Sequence, residues 1–486
     1  MPTQDRMADA QRRVTAAYRK QRRNQAIAQR ADAEAATARA VTSLAMQAAE
    51  MSLAAGTTTA RSISLVNKLS HAFDLPVHID ITYTRIALSY QPSVASDPIT
   101  LMRVVPTGLD YDRLTRVEHL VSRIAEQDMP LEEAQRRLDQ IANEPRVYRF
   151  WVMLMGAGVL GAAVAALLGG AFADMVAATI ATILCEMARV KVAERGLNAF
   201  FAQATGAAMP ALLGLAVMTL RPHLPWLVGD VRPSLVVAAG MVSLLAGIGV
   251  VTAAGDMLDG HYISSAARIM EVISLTGGIV LGLLVTLWVG LRLGVPAAIA
   301  PAEGLYSSPM VQIVSAGAIT LGYGILCNMG PRSLVAATSL GTILWIVYLA
   351  IPGAVTSSAS RAAIAAMAIG FLARLGNRPL RLPVVAMVTT GVAPLMPGLL
   401  LYRGVYAMTS GTPLGGRSAS DLLLLCALTG LALAAGSSLG TTMCAVVLRV
   451  VRSIRRSRQT ASAPDEAAVE VPRSRTTAPP APAQER

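Results

Sequence analysis

Aromatic and charged residues are scarce in this chain of 486 residues. Aromatics make up 4% and charged side chains 15%, whereas 53% of the residues are hydrophobic and the mean hydropathy is +0.51. An ordinary soluble globular protein is excluded, because apolar runs of about 18 or more residues recur from about residue 150 onward. Alanine, glycine and leucine dominate, which favours close-packed helices over a β-barrel.

Signatures of metal binding, disulfide formation and common enzyme chemistry are also missing. Cys185, Cys327, Cys426 and Cys444 are isolated and lie mostly within apolar runs, so neither a disulfide framework nor a zinc site is indicated. No HExxH, nucleophile elbow or P-loop is present. The first 40 residues lack the apolar core of a signal peptide. We therefore expect no metal, no cofactor and no enzymatic activity.

The excess positive charge lies largely outside the apolar runs. Much of the formal net charge of +12 falls in the N-terminal arm, the C-terminal tail and short loops. Basic residues that flank apolar spans are explained by membrane orientation and by anionic lipid head groups. The predicted partner is therefore a lipid bilayer and not a nucleic acid.

Five regions are predicted from the pattern. Residues 1–37 form a basic arm, helical or partly disordered, which either lies near a membrane surface or is a solvated helix. Residues 38–148 form a soluble module, and residues 149–292 and 293–452 form two membrane repeats. Residues 453–486, rich in proline, alanine, serine and arginine, are expected to be disordered.

The soluble module is predicted to be a small α+β domain with one core. Residues 38–56 have helical periodicity, and the threonines at 57–59 are candidate N-caps of a second helix. The segments VHIDITYTRIALSYQ and ITLMRVVP each have the pattern of a strand. Helices are predicted over residues 111–126 and 130–142.

The remainder is predicted to be an all-α polytopic membrane protein. Lysine and arginine are more frequent in alternate loops and after the last span, which places both termini in the cytoplasm. The ten predicted spans cover about residues 150–170, 172–189, 199–220, 233–254, 268–291, 309–329, 333–351, 359–375, 382–402 and 420–450.

Two weak internal matches indicate that the membrane part is duplicated. Residues 244–247 match 395–398, and residues 176–179 match 335–338, at similar offsets. Five spans in each half would insert the second half upside down, and inverted repeats typically place a transporter's substrate site at their interface.

Glycine and proline interrupt the apolar runs at matching places in the two halves. We expect the breaks at Gly247 and at Pro397 and Gly398 to contribute to a substrate site. Close packing of helices is the alternative for the glycines, and it is weaker for a proline, which removes a backbone donor inside a span.

Four segments carry a resemblance to a known family. They read LAAGTTTARS, EEAQRRLDQI, GDMLDGHYISSAARIMEVI and APLMPGLLLYRG, within a region from about Ala38 to Val451. The sequence there resembles the threonine/serine exporter family, in which a soluble N-terminal module precedes two five-helix membrane domains. The resemblance implies a bacterial inner-membrane exporter of threonine and serine, driven by the proton gradient.

Ionisable residues near the ends of apolar helices are the candidate coupling residues. Asp256 and Asp259 are three residues apart at the end of the fourth span, so they are expected to share a helix face. The same holds for Arg268 and Glu271, which enter the fifth span. A carboxylate here could exchange protons, and Arg268 could pair with Glu271 or with a substrate carboxylate. The alternative is a hydrated loop with a capping aspartate and an orienting arginine.

Three further polar residues are candidates at other positions. Asp174 and Glu186 lie at opposite ends of the second span, because twelve residues of helix rise about 18 Å. Glu186 is interpreted as part of an ion pair or a gate, and Asp174 as a residue of the outer interface. Asn328 precedes Gly330 and Pro331, at either a broken helix or a tight interhelical turn.

The predicted function is proton-coupled export of threonine and serine by alternating access between two inverted five-helix repeats. Two alternatives stay open, a membrane-anchored hydrolase that uses the N-terminal module and an uncoupled channel. For the hydrolase, His71, His78, Asp80 and His119 could form a metal or acid/base site, although surface histidines explain them better. The partners are a small amino acid, protons and lipid, and homo-oligomerisation is left open.

Overall fold

A computed structural model describes residues 3–91, 98–105, 108–127, 129–244, 247–294, 307–351 and 357–461. These residues are mostly helical, with one three-stranded sheet near the N-terminus. The N-terminal elements are α1 (Thr3–Ala54), α2 (Thr59–Ala72), β1 (His78–Thr82), β2 (Arg85–Tyr90), β3 (Ile99–Val104), α3 (Tyr111–Gln127) and α4 (Leu131–Asn143).

The soluble module has a core of its own. Helix α1 is continuous through residue 37, and its burial begins at Ala38, which is fully buried. From there it packs on α2, α3, α4 and the sheet. Helix α2 begins as expected within the threonine run, because the Thr58 side chain accepts a hydrogen bond from the Arg61 amide. The central buried side chains are Leu44, Leu65, Val66, Leu69, Ile86, Leu88, Val117, Val121 and Leu138.

The first predicted strand is a hairpin. Strands β1 and β2 pair antiparallel around a tight turn at Tyr83 and Thr84, and β3 pairs antiparallel with β2. Ile86 and Leu88 alternate with more exposed neighbours, so one face of the sheet covers the core. Two strands were expected and three are present, because the apolar alternation continues through a turn without glycine, proline or asparagine.

The second part of the chain begins at Phe150. Its helices are α5 (Phe150–Leu167), α6 (Phe172–Glu194), α7 (Ala199–Leu220), α8 (Pro225–Val228), α9 (Pro233–Met241), α10 (Gly247–Leu258), α11 (Tyr262–Arg292), α12 (Pro309–Leu326), α13 (Pro331–Leu349), α14 (Ser358–Leu380), α15 (Val384–Gly391), α16 (Gly398–Ser410) and α17 (Ala419–Ala461). Helix α17 continues past Ser453, where the tail was expected to begin, and residues 462–486 lie outside the described part of the chain.

Within the described residues, seven helices are long and apolar enough to cross a membrane. They are α5, α7, α11, α12, α13, α14 and α17. Two bent pairs raise this number to as many as nine, since Pro233–Leu244 is bent by 43° from Gly249–Leu258 and Val384–Leu395 by 50° from Gly398–Ser410. Helix α6, which carries charged residues near both ends, is not among them. The ten spans of the sequence analysis therefore stay a prediction.

Two sets of helices follow one another in the same packing order. Helix α5 contacts α6 as α12 contacts α13, and α7 packs along α11 as α14 packs along α17. The two sets meet where α5 contacts α12. The first residues of corresponding helices in the two sets are separated by the offsets of the sequence matches. Pro309 follows Phe150 by 159 positions, and Gly398 follows Gly247 by 151.

In each set, one helix pair is packed backbone against backbone. A Cβ atom added to Gly282 of α11 would overlap the carbonyl oxygen of Ala204 in α7. One added to Gly440 of α17 would overlap the carbonyl oxygen of Met367 in α14. Only glycine permits such an approach, so the backbones of α7 and α11, and those of α14 and α17, are in direct contact.

The soluble module is not merely tethered to the helices of the second part. Three of its residues, Ala55, Tyr111 and Leu114, belong to the hydrophobic core that the second part forms. The module therefore docks on one end of the helical bundle and shares its packing.

Candidate functional site

Asp256, in the last turn of α10, joins that helix to the soluble module. Its side chain is fully buried, and Oδ1 accepts a hydrogen bond of 2.6 Å from the backbone amide of Thr59. Oδ2 accepts one of 2.8 Å from Nε of Arg268, which is also buried. Thr59 is the first residue of α2, so the positive end of that helix faces the carboxylate. The buried negative charge is thus compensated from both parts of the chain.

Arg268 and Glu271 continue this contact on α11. Nη2 of Arg268 donates to the carbonyl oxygen of Thr57 at 2.6 Å, and its guanidinium lies 5.1 Å from the ring centroid of Tyr83. The Tyr83 hydroxyl donates to Oε2 of Glu271. Burial, and then the hydrogen bond to Glu271, raise the pKa of Tyr83, so its hydroxyl keeps the proton that it donates. We call Thr57, Thr59 and Tyr83 with Asp256, Arg268 and Glu271 the first docking contact.

The geometry corrects two expectations. Arg268 pairs with Asp256 rather than with Glu271. Asp256 and Asp259 do not face the same environment, because the Asp256 side chain is fully buried whereas that of Asp259, just past the end of α10, is exposed. Although Asp259 is accessible to water, desolvation by the surrounding protein, and then the charge of Asp256, raise its pKa.

A second docking contact joins the start of α3 to the turn between α12 and α13. The amide of Tyr111 donates to the carbonyl oxygen of Cys327 at 3.1 Å, and that of Asp112 donates to Asn328 at 3.0 Å. Nδ2 of Asn328 donates to Oδ1 of Asp110 at 2.7 Å. Asn328 has a φ of 53°, which asparagine tolerates better than most residues. Of the two alternatives for this segment, the tight turn is the one observed.

Tyr111 extends the second docking contact into the helices. Its fully buried hydroxyl lies 2.8 Å from Oγ1 of Thr389 on α15. Helix α15 is the first half of one bent pair, and α10, which carries Asp256, is the second half of the other. The module therefore touches both bent pairs at once.

Glu186 and Asp174 lie apart from the docking contacts, in separate ion pairs. Glu186 is almost fully buried and accepts a bond of 2.6 Å from Nη2 of Arg189, one turn along α6. Its neighbour Cys185 has its sulfur 3.9 Å from Oγ of Ser243, within the first break. Asp174, at the other end of α6, is fully buried and binds Arg232 at 2.7 Å.

The expected breaks coincide with the bends. Gly247 is the first residue of α10, and Pro397 is the residue before α16, which begins at Gly398. Each interruption thus separates the two helices of a bent pair.

A cavity of about 410 Å³ lies between the module and the helices, and we call it the inner cavity. Helices α2 and α3 form one wall, and α10, α14, α15 and α17 form the others. The lining combines hydroxyl groups with both signs of charge. Its polar residues include Glu118, Thr252, Asp259, Arg374, Thr441 and Arg449.

The sequence patterns did not identify most of the module residues that form the docking contacts. Tyr83 was placed within a strand and is at the tip of a hairpin, while Tyr111 was expected only to begin a helix. The threonines at 57–59 were found as caps, and the resemblance had already marked their segment.

The histidines of the module do not assemble into a metal site. Among the residues described, no group of three or more His, Cys, Asp or Glu side chains could hold a metal ion. His78 and Asp80 are exposed on β1, and Nε2 of His119 lies 2.6 Å from the carbonyl oxygen of Arg381. That last bond is a further contact between the module and the helical part.

Comparison with known proteins assigns the family. A family model described as "Putative threonine/serine exporter" matches residues 43–290, and one described as "Threonine/Serine exporter, ThrE" matches residues 312–448. The chain is 29% identical over 412 residues to the "Probable threonine/serine exporter" of Mycobacterium tuberculosis, covering 83% of this chain and 76% of that one. It is 30% identical over 411 residues to the "Threonine/serine exporter" of Corynebacterium glutamicum, covering 82% and 81%.

No solved structure matches the chain significantly. The curated relatives align along most of their length, and the apolar helices of the second part identify a multi-pass membrane protein. The chain belongs to the threonine/serine exporter family.

Proposed function

We propose that this protein exports threonine and serine from the bacterial cytoplasm across the inner membrane, coupled to the proton gradient. The names of the two relatives support the substrates. In this proposal both termini and the soluble module are cytoplasmic, as the distribution of lysine and arginine indicates. The module then covers the side from which substrate enters.

The proposed transport machinery is a pair of inverted repeats of five spans each. The recurrence of helix starts and of helix contacts supports the duplication. Seven single helices, the two bent pairs and α6 together supply ten spans. Residues 149–292 form the first repeat and residues 293–452 the second. An odd number of spans per repeat inverts the second one, which is the arrangement that suits alternating access.

The inner cavity is the observation that carries this proposal. It is lined by one helix of each bent pair, α10 and α15, and would lead from the module to the repeat interface, where transporters with inverted repeats bind their substrates. The cationic side chains of Arg374 and Arg449 suit a carboxylate, and Asp259 suits an ammonium group. Hydroxyl groups such as those of Thr252 and Thr441 suit a substrate that itself carries a hydroxyl.

Glu271 is the proposed coupling residue. Asp256 is engaged in an ion pair with Arg268, whereas Glu271 receives a hydrogen bond from the neutral Tyr83 hydroxyl. Protonation of Glu271 would replace a charge-assisted hydrogen bond by a weaker neutral one. Proton uptake would thus loosen the first docking contact and open the inner cavity on the module's side.

Efflux of labelled threonine from cells, with and without an uncoupler, tests the proposal. We expect Glu271→Gln to abolish the part of the efflux that depends on the gradient. Tyr83→Phe is the matched control, since it removes the same hydrogen bond but retains the carboxylate. The Tyr83→Phe variant should change the rate of threonine efflux but keep its dependence on the proton gradient.

Wild-type, uncoupler-sensitive efflux by the Glu271→Gln variant would rule out Glu271 as the coupling residue. Efflux by the wild-type protein that follows the threonine gradient and ignores the uncoupler would instead indicate an uncoupled channel.

A further inference from the structure

A second cavity, of about 580 Å³, opens beside the inner cavity, and we call it the outer cavity. It lies between α2 and α3 of the module and the ends of α14 and α17. Positive charge dominates its lining, with two carboxylates, Glu118 and Glu126, against seven cationic side chains. The cations are Arg61, Lys68, Arg123, Arg374, Arg381, Arg449 and Arg452.

Among the described residues, part of this positive charge has no compensating carboxylate. Glu118 is already engaged, because Nε and Nη2 of Arg61 each donate to its carboxylate at 2.7 Å. In the part of the chain that the structure describes, no carboxylate lies within ion-pair distance of Lys68, Arg123 or Arg452. A concave surface lined by one sign of charge concentrates the field and attracts counter-ions.

We propose that the outer cavity binds a phosphate group, supplied either by an anionic lipid head group or by a soluble phosphate compound. Arginine binds phosphate oxygens through paired N–H donors in a fixed geometry, and lysine adds a point charge. A threonine or serine zwitterion has no net charge and cannot balance such a lining. The outer cavity shares Arg374 and Arg449 with the inner cavity, but Lys68, Arg123 and Arg452 line the outer cavity alone. These three cations carry the phosphate site, which does not depend on the proposed function.

The position of α17 places this site near the membrane surface. At 43 residues, α17 is about 65 Å long, roughly twice the hydrocarbon thickness of a bilayer. Its last turns, with Arg449 and Arg452, extend beyond the hydrocarbon on the side of the module. Lipid head groups and soluble anions both reach that level.

A phosphate in this cavity would connect the two parts of the protein. Arg123 belongs to α3 of the module, and Arg452 belongs to α17. An anion that binds both side chains would form a further attachment of the module, next to the bond between His119 and Arg381. Ligand binding would then stabilise the docked position of the module.

Binding to the full-length protein in lipid nanodiscs tests this proposal without any transport. Inorganic pyrophosphate is titrated by calorimetry into protein in phosphatidylcholine discs, which tests the soluble source. Thermal unfolding in discs with and without phosphatidylglycerol tests the lipid source. The double variant Arg123→Gln and Arg452→Gln removes one cation from each wall. Lys191→Gln with Arg195→Gln, at the exposed end of α6, is a control with the same loss of charge.

We expect pyrophosphate affinity to fall about tenfold in the cavity variant, or the stabilisation by phosphatidylglycerol to fall by about 1.4 kcal/mol, which corresponds to the same loss of affinity. The control variant should behave as the wild type. The probe that responds identifies the source of the phosphate group. Two results would overturn the proposal: no effect of either probe on the wild-type protein, or equal losses in the cavity and control variants.

Discussion

Two docking contacts of different chemistry hold the soluble module. The first has a buried ion pair, Asp256 with Arg268, and a carboxylate, Glu271, that receives a tyrosine hydroxyl. The second is made mainly by backbone amides on carbonyl oxygens and by the hydroxyls of Tyr111 and Thr389. One is set largely by charge and the other largely by backbone geometry.

This difference assigns distinct tasks to the two contacts. Apart from the bond of the Asn328 amide to the Asp110 carboxylate, the second contact joins neutral groups, so it should depend little on pH. The first contact depends on buried charges, so it is the one through which the proposed proton coupling would act. The second would act as the pivot and the first as the releasable side.

The largest expected effect comes from breaking the ion pair of the first contact. Asp256→Ala leaves Arg268 buried without its partner and removes the acceptor of the Thr59 amide. Loss of one member of a buried pair typically costs about 3–5 kcal/mol, so thermal unfolding in detergent should shift strongly downward. The matched control is Asp259→Ala, three positions on and exposed, which should change stability by less than about 0.5 kcal/mol. Equal shifts would show that the ion pair does not hold the module.

A smaller effect is expected when charge is placed in the second contact. Asn328→Asp sets a carboxylate against Asp110. One of the two acids then has a folded-state pKa above its unfolded value, so the folded state binds the extra proton. Stability should therefore be lowest at neutral pH and recover as the pH falls through that raised pKa. Amide hydrogen exchange at the start of α3, followed as a function of pH, measures this change in stability.

Asn328→Gly is the control for that experiment. It keeps the positive φ and removes the amide, so it should loosen the contact without introducing a pH dependence. The same pH profile in both variants would refute the assignment to charge repulsion.

A still smaller loss is expected for Tyr83→Phe, in the first contact. The hydroxyl bond to Glu271 disappears while the ring stays against Arg268, so the cost should be about 1 kcal/mol. Tyr83→Ala, which also removes the cation–π contact, should cost about 1 kcal/mol more. Denaturation of the two variants in one detergent gives both values. Identical losses would mean that the ring contributes nothing.

The smallest effect is expected for Asp259→Asn. Since burial and Asp256 raise the pKa of Asp259 in the folded protein, its ionised form is disfavoured there relative to the unfolded chain. The amide should stabilise the protein slightly at neutral pH, and the gain should vanish as the pH falls below the ordinary range of an aspartate. Thermal unfolding against pH is the measurement. A gain that persists in acid would show that the ionisation of Asp259 is not its cause.

Local patterns predicted much of this structure. Hydrophobic periodicity located the helices, and glycine and proline located the bends at Gly247 and Pro397, because each acts within a few residues. The docking contacts could not be predicted in that way. Thr59 and Asp256 are 197 positions apart, and no local pattern records which amide a buried carboxylate will accept. The hairpin at Tyr83 was missed because its turn has none of the usual turn residues.

The glycine contacts of α7–α11 and α14–α17 also limit how this protein can change shape. Sliding one helix of such a pair along the other would drive carbonyl oxygens into main-chain atoms. We therefore expect each pair to move as one rigid unit. Changes of helix direction are then expected at the bends between α9 and α10 and between α15 and α16. Each set of helices thus has one close-packed pair beside one bent pair, and the module contacts a helix of each bent pair.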